Sequence, residues 1–401
     1  VILPREPWRR NQYVTVATVF VVFTGFAFVI PFLPLYVREL GVERPHEAAL
    51  WAGVLIGIAP LLAGLLAPVW GRLGDRYGQK GIAVKALVAY VFLLALSSVV
   101  TNVGQLLALR IGVGLFGGIG PLGLAMATSL APREETGRAV GMVQAAQILS
   151  AAIGPLAGGW LADMVGIRAT FLATAGLCAA ALLLVMRFYE EAPRSAPSGD
   201  EAARAPGLAD VLRIPAVPSL LVVLFLVNFV GRSFTPILPL HLRELAVDPS
   251  RLAFATGMLV SAYSVAAALS ATLLGRAARK RSPRALLVAT LVGGVATVLP
   301  MAYVPSYGWI LVLAVLLGLA SGGSLTLCYT IGGLMVPPEV KTTAFGFFSG
   351  AALFGGALSP TVAGLLVRWQ LRGIYFVDAL VFAVLALALL PSLRKGVESR
   401  A

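Results

Sequence analysis

Histidine and cysteine are nearly missing from this chain, which has two of each in 401 residues. His46 and His241 stand far apart, and Cys178 and Cys328 both lie inside apolar runs. These counts exclude a disulfide framework, and they leave no ligand set for a histidine–cysteine metal cluster or an H-E-x-x-H site. A G-x-S-x-G nucleophile elbow is also absent. No metal, no cofactor and no enzymatic activity are therefore expected. Charge is scarce as well: Asp, Glu, Lys and Arg make up 12% of the chain, about half the share of a soluble domain. The net charge of +13 does not read as a nucleic-acid surface, because no basic stretch is interleaved with base-stacking aromatics. The start of the chain lacks a signal-peptide pattern, so its first apolar run is expected to be a retained span.

What remains is apolar. The chain is 59% hydrophobic with 43 glycines, too much for one globular core, and glycine suits closely packed membrane helices. Twelve runs are long enough to cross about 30 Å of hydrocarbon. They are 14–37, 49–70, 82–100, 105–131, 139–162, 168–187, 218–241, 254–274, 284–304, 308–334, 342–367 and 373–391. The polar, Pro/Ser/Gly/Ala-rich stretch "EEAPRSAPSGDEAARAPGLAD" between the sixth and seventh reads as a flexible linker. The expected organisation is an all-α integral membrane protein of two six-helix bundles, 1–190 and 218–401, joined by a cytoplasmic linker, 191–217. Twenty-two of the 31 Lys and Arg fall on one side of such a topology and seven on the other. The positive-inside bias then puts both termini in the cytoplasm.

The two bundles look like duplicates. "PFLPLYVREL" at 31–40 returns as "PILPLHLREL" at 236–245. At the same offset Gly117-Gly118 meets Gly322-Gly323, Pro155 meets Pro360 and Gly159 meets Gly364. One residue closer, Gly71-Arg72 meets Gly275-Arg276 and Arg168 meets Arg372. A register kept across five spans points to parallel repeats, which typically pack about an axis along the membrane normal with a substrate path between them.

The loop after the second run reads "GRLGDRYGQKG", 71–81. Gly78 permits a tight reversal, Asp75 suits a helix N-terminus, and Arg76 and Lys80 hold the loop at a membrane face. With Gly71, these residues resemble the G-x-L-x-D-R-x-G-x-K signature of the major facilitator superfamily of secondary transporters, at its expected place between helices two and three. The second half keeps a degraded copy, "GRAARKRSPR", with Arg279 where the first has Asp75. The resemblance covers the whole chain: twelve spans, duplication and central linker. In the fourth span "LRIGVGLFGG" resembles the family's R-x-x-x-G element, Arg110 and Gly114. In the fifth, "GMVQAAQILSAAIGPLAGG" resembles the signature of the twelve-span drug:proton antiporters through Gly141, Gly154, Pro155, Gly158 and Gly159. Ser150 stands there where glycine is expected. Ser150, Gly154 and Gly158 recur every four residues, a face for close approach to a helix, expected to be one of the other bundle.

The resemblance implies export of lipophilic or amphipathic small molecules by proton antiport through alternating access, in the cell membrane, by a chain acting as a monomer among lipids. Alternatives are a lipid or glycolipid flippase on the same scaffold and, from another class, a non-transporting sensor or intramembrane enzyme. It also implies that Asp75 holds the cytoplasmic side shut, against the start of span eleven near Thr342. Arg110 either ties helices together or takes part in proton coupling. Among the acids, Asp378 alone is placed well inside a span, and a carboxyl in apolar surroundings is a candidate proton carrier. Glu39 near the outer surface and Arg232 in span seven are further coupling candidates, although Glu39 has a repeat twin in Glu244. Phe28, Gln144, Gln147, Asn228, Arg232, Tyr263, Tyr329 and Phe347 are candidate walls of a mostly apolar substrate cavity. Each of them also fits ordinary packing.

Overall fold

In hydrocarbon a backbone without strand partners must close its hydrogen bonds within helices. All regular structure in the computed structural model, which describes residues 6–117, 119–128, 132, 135–191, 212–214, 217–336 and 341–398, is helical. The first half runs α1 (Pro7–Val29), α2 (Leu33–Glu39), α3 (Pro45–Tyr77), α4 (Gln79–Ser97), α5 (Val103–Leu115), α6 (Ile119–Thr128), α7 (Thr136–Val165) and α8 (Ile167–Phe188). The second runs α9 (Val217–Ser233), α10 (Leu238–Glu244), α11 (Leu252–Ala277), α12 (Pro283–Val298), α13 (Tyr307–Ser321), α14 (Ser324–Met335), α15 (Lys341–Leu366) and α16 (Gly373–Glu398). Among the described residues nine apolar spans are long enough to cross a membrane, or ten with the bent α9–α10 pair. Two shorter apolar helices, α5 and Gly373–Leu389 of α16, fall on the two remaining runs, which is consistent with twelve. Most of the proposed linker, 192–211, lies outside the described residues.

The repeated P-x-x-P is the break in the first span of each half. Pro31 has no N–H, and its ring collides with the carbonyl four residues back. α1 therefore gives way to a 3-10 turn, Ile30–Phe32, before α2 starts. Pro236 and Pro239 do the same between α9 and α10, which meet at a bend of 43°. The fourth span is interrupted in both halves too, at the repeated glycines. A Cβ on Gly117 would lie 2.5 Å from Ala63 Cβ, and one on Gly322 would lie 2.3 Å from Ala267 Cα. A turn earlier, a Cβ on Gly114 would stand 2.9 Å from the Ala59 carbonyl, and one on Gly318 2.6 Å from that of Tyr263. Glycine is thus required where the fourth span meets the second. Lipid tails offer no hydrophobic drive between helices, so such backbone contacts supply the packing.

The chain forms two compact bodies. The first holds residues 1–44, 54–196 and 247–261, and the second holds 45–53, 197–246 and 262–401. In the first, α1 packs against α6, α7 and α8, and α4 against α8. Val19, Ala127, Ala139, Val143 and Ala146 form a tight small-residue core there. In the second, α9 lies on α15, and α12 on α13 and α16. Phe92, Leu183, Leu334 and Leu380 are exposed. Large apolar side chains turned outward on apolar helices mark surfaces made for lipid.

Candidate functional site

The loop motif is an anchor point of the first body. Gly78 has φ +95°, and a Cβ there would meet Glu191 Oε2 at 2.9 Å. The Glu191 carboxylate accepts from the backbone N–H groups of Gln79 (2.8 Å) and Lys80 (2.9 Å), so an acid caps the start of α4. Lys80 Nζ donates to the Tyr189 carbonyl at 2.7 Å. Next along the chain, Glu190 exchanges two hydrogen bonds with Asn11, at 2.7 and 2.9 Å. The end of α8 is thereby tied to both α1 and the motif. Arg76 is exposed, its guanidinium 5.3 Å from the Tyr77 ring. The surroundings of Gly71 and the side chains of Asp75 and Thr342 lie outside what the structure describes. Gly78→Ala is expected to lower stability by about 1–3 kcal/mol, from backbone strain and the Glu191 clash. Thermal unfolding in detergent checks this against Gly81→Ala, where a Cβ meets nothing within 4 Å. Equal midpoints for the two variants would refute it.

The small residues of α7 serve two neighbours. Ser150, Gly154 and Gly158 face α1 of the same half, not the other bundle as the sequence reading expected. A Cβ on Gly154 would lie 2.4 Å from Ala27 Cβ, and one on Gly158 2.5 Å from Phe28 Cα. The adjacent face carries Pro155 and Gly159, and these meet α11. A Cβ on Gly257 would lie 2.0 Å from the Pro155 carbonyl oxygen, and one on Gly159 2.5 Å from that of Ala253. The second body repeats the contact with roles exchanged. A Cβ on Gly53 of α3 would lie 2.1 Å from the Pro360 carbonyl oxygen, and one on Gly364 2.5 Å from that of Ala49. Four-residue spacing defines a stripe but cannot say which neighbour fills it; the α7 stripe is simply wide enough for two. Gly141 is exposed and a Cβ there meets nothing within 4 Å, so it belongs to neither contact.

The departure at Ser150 has a physical reason. Its hydroxyl lies 2.8 Å from the Phe20 carbonyl of α1. In the second half the matching position is Gly355, whose Cβ would stand 2.1 Å from the Phe225 carbonyl. One turn on, Gly154 is matched by Ser359, which donates to the Phe229 carbonyl at 2.5 Å. Each half uses one serine and one glycine at this pair of rungs, in opposite order.

The intramembrane charges divide between the bodies. Arg110 is 3% exposed, and its Nε and Nη2 have no hydrogen-bond partner among the described residues. Its guanidinium carbon lies 5.7 Å from the Phe171 ring, a cation–π distance. Glu39 is exposed at the end of α2, within electrostatic reach of Arg168. Asp378 is fully buried in the second body, with its Oδ2 in short hydrogen-bond contact with Ser233 Oγ. Arg232 is exposed, and Tyr263 is within electrostatic reach of both Arg232 and Asp378. Gly356 makes room for this group: a Cβ there would lie 3.2 Å from Asn228 Nδ2 and 3.3 Å from Arg232 Cδ.

The remaining cavity candidates are uneven. Asn228 spends its amide on the Ala352 carbonyl of α15, a packing role. Tyr263 stands edge-on to Phe234 at 5.4 Å. Tyr329 stacks on Phe345 at 6.0 Å, and its hydroxyl is 3.5 Å from Ser349 Oγ. Phe347 and Phe28 are half-buried, Gln144 is exposed and Gln147 half-buried. Structure thus gathers Arg232, Asn228 and Tyr263 in the second body, while Gln144 and Gln147 belong to the first.

Two acid contacts went unread in the sequence. Asp163 fell just past the boundary drawn for span five, but α7 continues to Val165, so Asp378 is not alone within a helix. Its carboxylate accepts from the first backbone N–H groups of α11, Ala253 at 3.1 Å and Phe254 at 2.7 Å. The second is the pairing of Asp378 with Ser233. No spacing signal marks either, because each joins helices about a hundred residues apart or more.

Repeated apolar spans in both halves, with Arg110 and Asp378 buried inside helices and glycine-lined crossings, define a membrane transporter of the two-bundle type. The sequence profile of the Major Facilitator Superfamily matches residues 15–255 and 220–400, and the chain belongs to that family. It is 32% identical over 389 residues to the Multidrug resistance protein MdtG of Dickeya zeae, covering 97% of this chain and 95% of that one. The MdtG of Citrobacter koseri is 32% identical over 397 residues, covering 98% and 97%. Among solved structures, a bacterial homolog of the human lysosomal transporter Spinster, inward-facing and occupied, superposes with a TM-score of 0.80. That match covers 98% of each chain at 17% identity, a likeness of fold.

Proposed function

We propose that this chain exports lipophilic small molecules in exchange for protons, by alternating access between its two six-helix halves, 1–190 and 218–401. End-to-end likeness to proteins named for multidrug resistance carries this reading. It works as a monomer in the cell membrane with both termini in the cytoplasm. In the second body, the aromatic and apolar side chains around Tyr263, Tyr329 and Phe347 bind substrate by area rather than by a fixed set of hydrogen bonds.

Asp378 is the proton carrier of this reading, and donor counting supports it. Ser233 has one hydroxyl hydrogen and two acceptors beside it, the Val230 carbonyl at 2.9 Å and Asp378 Oδ2. With the hydroxyl hydrogen turned to Val230, a protonated Asp378 completes the second contact with a hydrogen of its own. Arg232, in the same body, is the fixed charge that biases its release, and Arg110 plays a supporting part in the first body. The test is the purified protein in liposomes enclosing a pH indicator, challenged with a panel of lipophilic dyes. Dye movement and proton movement in opposite directions are expected, both abolished by dissipating the pH gradient. Dye transport indifferent to the gradient would remove the coupling.

A further inference from the structure

We infer that the α9–α10 pair and α16 form a proton-conducting ladder, Glu244–Arg372 and His241–Tyr375 from α10 and Ser233–Asp378 from the end of α9, leading from the exposed helix ends to the buried carboxyl. This rests on the reading of Asp378 as proton carrier. The rungs follow helical spacing: 372, 375 and 378 succeed one another by three, as do 244 and 241, so each helix stacks its polar residues on one face. Arg372 Nε lies 3.2 Å from Glu244 Oε2, and this first rung is open to solvent. His241 Nδ1 lies 2.9 Å from Tyr375 Oη, and both residues are fully buried. Asp378 follows one turn deeper. Tyr263 is within electrostatic reach of both Asp378 and Arg232, and Arg372 donates to the Ala302 carbonyl at 3.0 Å beside the first rung.

Two atoms of the ladder are buried without a partner among the described residues, His241 Nε2 and Asp378 Oδ1. Orphaned buried polar atoms are costly and call for an explanation. The first half is the control, because the duplication places a counterpart at every rung. There Arg168 matches Arg372, Tyr36 matches His241, Phe171 matches Tyr375 and Thr174 matches Asp378. Tyr36 and Phe171 pack ring to ring at 5.0 Å. Tyr36 donates to the Ser97 carbonyl at 2.8 Å, and Thr174 lies 2.8 Å from that of Gly25. The same helix contact is built in the first half with its polar atoms satisfied. Only the second half replaces the inner pair by an imidazole and a phenol and places a carboxyl below them.

The transfer balances without redox chemistry. A proton arriving at His241 Nε2 releases the one on Nδ1 to the Tyr375 oxygen. Tyr375 passes its own hydrogen on to an ionised Asp378, directly or through one water. Reset of the imidazole tautomer completes the cycle.

Infrared spectroscopy of the full-length purified protein tests this without knowledge of the substrate. The carboxylic acid C=O band of Asp378 is identified by its loss in Asp378→Asn, and its shift is timed after transfer to heavy water. His241→Tyr with Tyr375→Phe installs the ring pair of the first half, and Tyr375→Phe alone removes one oxygen. Both are expected to slow the exchange at Asp378 by at least about tenfold while the band persists. Wild-type exchange in both variants would overturn the ladder and leave the Asp378 reading standing. No band lost in Asp378→Asn would overturn that reading itself.

Discussion

Gly257→Ala is expected to cut transport by about ten- to a hundredfold, although it adds a single methyl group. The methyl carbon would lie 2.0 Å from the Pro155 carbonyl oxygen and 2.7 Å from its carbon. Those atoms are backbone, so no side chain can rotate away, and α11 and α7 must part. Overpacking of this sort costs about 1–3 kcal/mol, enough to remove one conformation from a balanced cycle. Gly53→Ala should behave alike, because its methyl meets the Pro360 carbonyl at 2.1 Å in the matching contact of the second body. Gly176→Ala is the comparison, since a Cβ there meets nothing within 4 Å. Dye flux in liposomes, at equal amounts of folded protein, measures all three. Wild-type flux in Gly257→Ala and Gly53→Ala would show that these crossings need not close during transport.

Asp378→Asn should abolish dye-driven proton movement while leaving a folded, dye-binding protein. Asparagine has the shape of the carboxylic acid, and its amide nitrogen can donate to Ser233 Oγ in place of the acid hydrogen. Ser233 then keeps its bond to the Val230 carbonyl. The substitution therefore holds the neutral state permanently and removes only the ability to release a proton. Asp378→Leu, which leaves the serine without that donor, should cost stability as well. Proton release measured with a pH indicator on dye addition, beside thermal unfolding of both variants, separates the two effects. Unchanged proton movement in Asp378→Asn would transfer the coupling role to another group.

Much of the fold was legible because hydrocarbon imposes a one-dimensional rule. A chain with 12% charge and twelve apolar runs has few places to put its backbone polar groups other than helices. The repeat was equally plain, because prolines and glycines return at a fixed offset, and each has a backbone reason to be where it is. Pro31 and Pro236 break the first span of each half; Gly117 and Gly322 let the fourth approach the second. The loop motif and its turn at Gly78 were visible as a string, but the Glu191 carboxylate that leaves no room for a Cβ there comes from over a hundred residues away.

What the sequence by itself determined is thus what one apolar run decides alone: its place in the chain, its apolar surround and its match to a twin, while the breaks after Val29 and Leu115 and the extension of α7 to Val165 came with the structure. Tertiary structure decided which helix each face meets. It turned Ser150, Gly154 and Gly158 toward α1, and gave α11 to Pro155 and Gly159. It set Asp163 at the N-terminus of α11, and it paired Asp378 with Ser233 and His241 with Tyr375. A helix shows its residues every 100° around the axis, so its pattern names a face, while the partner depends on how distant helices rotate and cross.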